Sequence, residues 1–155
     1  MTVIDMYRIG FDIGGTNIAF GMIDDELSII RKSSVPFPHT EANEVAKLIA
    51  SLCKKICDET HIDATEIEII GICIPGSIDA SREKVIDAYN LSFHDVPFKK
   101  MVEDETGMKA QLMNDADAAT LAEYKIGSLR GMHDSMLITI GTGIGGGIIL
   151  NGKLN

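Results

Sequence analysis

The stretch FDIGGTN, residues 11–17, ends one apolar run and turns the chain directly into the next. Residues 7–13 and 18–23 both have strand composition, and the four residues between them are too few for a crossover helix. We therefore predict a β-hairpin at this end of the chain.

The turn of this hairpin carries groups that suit a phosphate. Its two glycines accept positive φ and bring backbone N–H groups close to whatever lies in front of them. Thr16 and Asn17 add side-chain donors, and Asp12 has the chemistry to hold a hydrated Mg²⁺ or to orient a nucleophile. A tight turn beside a strand-end charge explains the same residues, so this stretch alone leaves both interpretations open.

Composition limits the class of protein. The 155 residues, 45% of them hydrophobic, have the length of one α/β domain with a core. The net charge of −9 disfavours nucleic-acid binding, which needs clustered Lys and Arg. No apolar run reaches about 18 residues and no leader pattern is present, so we expect neither a membrane span nor export. The three cysteines match no zinc or CxxC spacing, which predicts reduced thiols in a cytoplasmic protein.

Hydrophobic periodicity outlines the rest of the chain. It predicts a third strand over 27–35, a helix over 44–57, a buried strand over 67–74, a helix opened by Asp95 with Pro97 in its first turn and stopped by Gly107, a short strand over 109–113, an alanine-rich helix ending at Gly127, and a buried strand over 135–140. The strand over 67–74 leaves through Pro75-Gly76, which is either a pocket rim or a plain loop.

Asn114-Asp115 stands where a short strand meets the alanine-rich helix. An Asn or Asp in this position is usually a helix cap, worth about 1 kcal/mol. Only one residue of the pair is needed as the cap, so capping does not account for the other. A carboxylate at the carboxyl edge of a sheet is well placed to meet a ligand and to accept a hydroxyl proton.

The run GTGIGGG, residues 141–147, lies between apolar segments and predicts a second hairpin with a glycine-rich turn. Such a turn gathers amides for an anion, with Thr139 and Thr142 as added hydroxyls. The run also fits the GxGxxG dinucleotide fingerprint, but a strand follows it where that fingerprint requires a helix. Two turns of this kind facing each other would clasp a polyphosphate.

Four motifs occur in a familiar order and spacing: DIGGTN (12–17), IPG (74–76), NDA (114–116) and GTGIGGG (141–147). Together they resemble the bacterial ROK sugar kinases, particularly their glucokinases. The resemblance implies an α/β, ribonuclease H-like (actin-like ATPase) domain, with a mixed five-stranded sheet, its first three strands antiparallel, and helices on the faces. It also implies transfer of the γ-phosphoryl group of ATP, with Mg²⁺, to a hexose hydroxyl.

The resemblance also assigns residues. It implies a first phosphate loop formed by Asp12, Gly14, Gly15, Thr16 and Asn17, with Asp12 near Mg²⁺, and a second formed by Gly141, Thr142, Gly143 and Gly145. Asp115 would contact the sugar's primary hydroxyl as its general base. Asn114 would be a sugar ligand, and Gly76 and Asn90 would line the sugar pocket.

Two departures from the family pattern matter. Asp117 stands where the family commonly has Asn. Either it shifts the sugar preference of the site, or it is simply an acid in the first turn of a helix, where a negative charge is favourable. The chain also stops at Asn155, where the family continues into a second domain with further sugar, zinc and adenine sites. We expect residues 1–155 to be the N-terminal domain, either half of a longer kinase or a natural short chain, and to be weakly active or inactive as given.

This gap leaves a second class of function open. A non-catalytic sugar or nucleotide sensor remains an alternative, as does an inactive homodimer that pairs through the exposed inter-domain face. A DNA-binding repressor is disfavoured by the acidic charge and by the few residues before the first strand.

Overall fold

The computed structural model describes residues 6–141 and 143–155. In chain order its elements are β1 (Tyr7–Ile13), β2 (Asn17–Ile23), β3 (Ile29–Pro36), α1 (Ala42–Thr60), β4 (Ile67–Ile74), β5 (Ser77–Ile78), β6 (Val85–Ala88), β7 (Phe93–Val96), α2 (Phe98–Thr106), β8 (Ala110–Asn114), α3 (Asp115–Ile126), β9 (Ser135–Ile140), β10 (Ile144–Leu150) and β11 (Lys153–Leu154). Short 3₁₀ turns cover Ala64–Glu66 and Tyr89–Leu91. Within the described ranges, no helix is both long and apolar enough to span a membrane.

The central sheet has five strands in the order β3-β2-β1-β4-β8. β1, β2 and β3 are antiparallel, whereas β4 pairs parallel with β1 and β8 pairs parallel with β4. This confirms the predicted mixed sheet with three antiparallel strands first. Because β1, β4 and β8 run in the same direction, their carboxyl ends meet at one edge, where Asp12 pairs with Cys73 and Cys73 pairs with Met113.

One face of this sheet forms the core. Alternate residues of β1, such as Ile9, Phe11 and Ile13, are buried beside the apolar stripe of α1, and the rings of Phe11 and Phe20 stack with centroids 5.7 Å apart. The predicted helix over 44–57 is confirmed and is longer, since α1 spans Ala42–Thr60. The other face carries small residues; a Cβ added at Gly71, for example, would contact nothing within 4 Å.

A second, three-stranded sheet in the order β5-β6-β7 was not predicted. The prediction that Asp95 opens a helix is wrong, because Asp95 lies in β7 and α2 begins at Phe98 after Pro97. Phe93 of β7 is buried, and its ring lies 5.2 Å from that of Phe98. The strands of this sheet have two to four residues, so periodicity cannot detect them.

The third sheet, in the order β11-β10-β9, packs one face against α3. The glycine run predicted as a turn over 141–147 is mostly strand, because β10 already begins at Ile144. The prediction of a β9 buried on both faces is also wrong: Ile138 and Ile140 are 55% and 83% exposed, since no described element covers that face.

Candidate functional site

The loop between β1 and β2 is a tight turn. The Gly14 N–H donates to the Asn17 carbonyl at 2.9 Å, and the Thr16 carbonyl accepts from the Phe37 N–H at 2.8 Å. These two bonds hold the loop at both ends while the Thr16 and Asn17 side chains remain exposed. A Cβ added at Gly15 would lie 3.3 Å from Cβ of Asn90, so this loop touches the 3₁₀ turn that carries Asn90.

Asp12, Cys73 and Asp115 meet at the carboxyl edge of the central sheet. Partial burial, and then the nearby Asp115 carboxylate, raise the pKa of Asp12 above its ordinary value. Burial, followed by the Asp12 and Asp115 charges, raises the pKa of the Cys73 thiol to about 11. The two carboxylates therefore repel each other and create a negative centre at this edge.

Asn114 caps α3 and also fixes the strand exit from β4. Its Oδ1 accepts from the N–H groups of Ala116 at 2.9 Å and Asp117 at 3.3 Å, and its Nδ2 donates to the Gly76 carbonyl at 2.8 Å. Both the oxygen and the nitrogen of the Asn114 side chain therefore have hydrogen-bond partners. Asp115, the second member of the pair, is the exposed one, with Oδ1 accepting from the Ala116 N–H at 2.8 Å.

Gly76 occupies a position that has no room for a side chain. Its φ is +142°, and an added Cβ would lie 2.9 Å from Cα of Ala88 and closer still to the Asp87 carbonyl oxygen. β6, which contains Asp87 and Ala88, leads directly into the turn with Asn90. The structure thus brings Gly76, Asn90, Asn114 and the first loop together through direct contacts.

The second glycine turn is open. The Gly141 N–H donates to the Gly143 carbonyl at 2.9 Å, and Cβ atoms added at either glycine would meet nothing within 4 Å. Thr142 lies outside the described residues. Gly145 differs from the other two glycines, because it lies within β10 and an added Cβ would be 3.0 Å from Cβ of Ala116 on α3.

Sequence reasoning missed two features of this region. The first is that Cys73 lies at this site. Strand alternation could have predicted this, because Ile72 and Ile74 are buried and Cys73 between them must face the other side of β4, where it pairs with Asp12. The second feature is the packing of β10 against α3 through glycine, which had no signal in the local pattern.

No group of three or more His, Cys, Asp or Glu side chains arranged to hold a metal ion occurs among residues 6–141 and 143–155. This does not conflict with a Mg²⁺ site, because Mg²⁺ usually keeps several waters and binds through one or two carboxylates together with substrate phosphates. Asp12, at the same sheet edge as Asp115 and raised in pKa by burial and then by the Asp115 charge, is a donor of that kind.

A five-stranded mixed sheet in the order β3-β2-β1-β4-β8, with a tight glycine turn at its edge, is the architecture of an actin-like ATPase domain, and solved structures similar to it have that fold. The chain belongs to the ROK family, whose family model matches residues 8–155.

Three relatives describe the extent of the similarity. The chain is 39% identical over 146 residues to a glucokinase of Streptomyces coelicolor and covers 94% of itself and 44% of that protein. An N-acetylmannosamine kinase of Escherichia coli is 32% identical, with 96% of this chain and 49% of that protein covered. A ROK family glucokinase from Streptomyces griseus, solved with glucose and AMPPNP, superimposes with a TM-score of 0.86 at 37% identity, over 96% of this chain and 46% of that one. The chain thus spans less than half the length of these relatives.

Proposed function

We propose that this chain is the N-terminal, phosphate-binding half of a hexose kinase, which transfers the γ-phosphoryl group of ATP to the primary hydroxyl of a glucose-like sugar. The observation that carries the proposal is the meeting of Asp12 and Asp115 at one sheet edge. Phosphoryl transfer to an alcohol uses a carboxylate that holds the metal ion and a carboxylate that accepts the hydroxyl proton, together with groups that position the phosphates.

In this mechanism Asp115 acts as the general base. Its exposed carboxylate accepts the proton of the sugar hydroxyl, whose oxygen forms a bond to the γ-phosphorus as the bond between that phosphorus and the β–γ bridging oxygen of ATP breaks. ADP leaves with the electron pair, and the proton remains on Asp115. A positioned base of this kind contributes about 10²–10⁴-fold in rate.

The two turns would hold the nucleotide phosphates. Gly14, Gly15, Gly141 and Gly143 have no side chain, so a phosphate can approach their backbone closely. The N–H groups of Gly14 and Gly141 already donate within their own turns, to the carbonyls of Asn17 and Gly143, and hold those turns in shape. Asp12 would hold Mg²⁺, which when bound neutralises charge on the phosphates. Burial and then repulsion by Asp115 raise the pKa of Asp12, and a bound cation would relieve the second of these.

The sugar would lie between Asn114, Gly76 and Asn90, which already contact one another or the first loop. The relatives are named as kinases of glucose and of N-acetylmannosamine, two different hexoses. The assay below therefore has to identify which hexose is the substrate.

The test is a coupled assay of ADP release with ATP, Mg²⁺ and a panel of hexoses, glucose first. It is run on this chain and on a chimera that joins the chain to the remaining part of the Streptomyces coelicolor glucokinase. We expect sugar-dependent ADP release from the chimera and weak or no release from the chain alone.

Asp115→Asn is the informative variant and Asp117→Asn is its matched control. Both change one carboxylate of the first turn of α3 to an amide, so they remove the same charge from nearly the same place. Sugar-dependent turnover lost in Asp115→Asn and retained in Asp117→Asn supports the proposal. A folded chimera without turnover on any hexose, or an Asp115→Asn chimera with wild-type turnover, contradicts it.

A further inference from the structure

β10 packs on α3 through alternate glycines. Side chains of a strand alternate between its two faces, so Gly145 and Gly147 lie on the same face. A Cβ added at Gly145 would lie 3.0 Å from Cβ of Ala116, and one added at Gly147 would lie 2.8 Å from Cβ of Thr120. The Cβ at Gly147 would also lie against the Thr120 hydroxyl and 3.1 Å from Oδ1 of Asp117, so neither glycine has room for a side chain beside α3.

The helical side of this contact is complementary. Ala116 and Thr120 lie one turn apart and are the buried residues of α3, at 3% and 0% exposure. The Thr120 hydroxyl donates to the Ala116 carbonyl at 2.7 Å, within its own helix. Because this hydrogen bond is satisfied inside α3, the contact between Thr120 and Gly147 is a steric one that sets distance.

We propose that Gly147 and Thr120 are a positioning pair that sets the distance between Asp115 and Gly143. Asp115 is the first residue of α3, and Gly143 immediately precedes β10, so both groups are carried by the two elements that meet at this contact. The pair acts through Asp115 and Gly143, and its catalytic role rests on the proposed function.

The expected displacement follows from the contact distance. Carbon atoms in contact prefer about 3.5–4.0 Å, so a methyl group at residue 147, 2.8 Å from Cβ of Thr120, would push β10 and α3 apart by about 1 Å. A misplacement of this size at a reacting centre costs about 10²-fold in rate.

The test compares three variants with the wild-type chain. Gly147→Ala introduces the methyl group, and Thr120→Gly combined with Gly147→Ala removes the side chain that it meets. Gly71→Ala is the control, since that glycine lies within a strand and an added Cβ there meets nothing within 4 Å. The first readout is the backbone amide resonances of Asp115 and Gly143, which need no turnover.

We expect both resonances to shift in Gly147→Ala, to stay unchanged in Gly71→Ala and to return toward wild-type values in the double variant. In the chimera that turns over, kcat of Gly147→Ala falls about 10²-fold while KM for ATP and sugar changes less than about threefold, because each binding surface is intact. The double variant restores most of kcat.

Unchanged Asp115 and Gly143 resonances in a folded Gly147→Ala chain overturn the proposal, as does a fall in kcat that the double variant does not restore. If Gly147→Ala does not fold, Thr120→Ala tests the same contact by letting the elements approach, and unshifted resonances there overturn it equally. Absence of sugar-dependent turnover in the wild-type chimera refutes the kinase assignment alone, because the resonances report the positioning independently.

Discussion

Replacing Gly76 with alanine tests whether the exit from β4 supports the site. Gly76 has a φ of +142°, and its carbonyl accepts the hydrogen bond from Nδ2 of Asn114 at 2.8 Å. An added methyl group would lie against the backbone of Asp87 and Ala88 in β6, at 2.9 Å from Cα of Ala88. The substitution thus forces two backbone segments apart next to the cap of α3.

The magnitude has two parts. A non-glycine residue in a backbone region of this kind costs about 1–3 kcal/mol. Overpacking against backbone that cannot rotate away costs a further 1–3 kcal/mol or so. We therefore expect Gly76→Ala to lower the free energy of unfolding by about 4 kcal/mol. For a chain of this size that corresponds to a thermal midpoint about 8–16 °C lower.

Thermal and urea unfolding measure this change, with two glycine variants as matched controls. Gly107→Ala also places alanine at positive φ, +70°, but in open space, so it carries backbone strain alone, about 1–2 kcal/mol. Gly71→Ala has neither strain nor contact and should leave stability nearly unchanged. If Gly76→Ala is no more destabilising than Gly107→Ala, the close approach of Gly76 to β6 is refuted.

Three further predictions concern the two acids and the cap. In the active chimera, Asp115→Asn lowers kcat by about 10²–10⁴-fold without lowering the melting temperature, because Asn retains an acceptor for the Ala116 N–H and removes the repulsion with Asp12; a parallel loss of stability would contradict a purely catalytic role. Asn114→Ala loses the cap and the bond to Gly76, about 1 kcal/mol each, whereas Asn114→Asp keeps the cap; urea unfolding should therefore rank Asn114→Asp between wild type and Asn114→Ala, and equal stabilities would refute the cap assignment. Asp12→Asn, measured without Mg²⁺, should melt higher than wild type at pH 7 and lose that advantage near pH 3.8, the ordinary pKa of Asp. The sign follows because folding raises the pKa of Asp12, so the native chain binds more protons than the unfolded chain just above pH 3.8 and wild-type stability falls as pH rises through that window. An Asp12→Asn advantage that persists at pH 3.8 would contradict this cause.

Elements with long local patterns were predictable. α1 carries an amphipathic stripe over five turns, and β1 with β2 forms a hairpin whose turn contains its own glycines, so neighbouring residues suffice to define them. β6 and β7 were not predictable, because four residues contain too few alternations. Their burial comes from distant partners, such as the contact of Phe93 with Phe98.

The residues of the candidate site also divide into those that sequence could predict and those that it could not. Asp12, Asn114, Asp115 and the glycine turns stand in short motifs, so their chemistry could be predicted residue by residue, and Asp115 stays a predicted base. Which of the Asn114-Asp115 pair caps the helix could not be predicted. Asn114 turned out to cap α3 while bonding a carbonyl 38 positions earlier in the chain.

Residue identity along the chain was enough for the hairpin of β1 and β2, for α1 and for the motifs that carry the acids at the strand ends, because each of these is set by neighbours in sequence. The mixed sheet was expected only from the resemblance that those motifs carry. The closeness of Asp12 to Asp115, the lack of space at Gly76 and the seating of Thr120 on Gly147 depend on strand order and on helix-to-sheet packing. Those distances arise when segments far apart in sequence pack at van der Waals contact, and a local pattern carries no information about them.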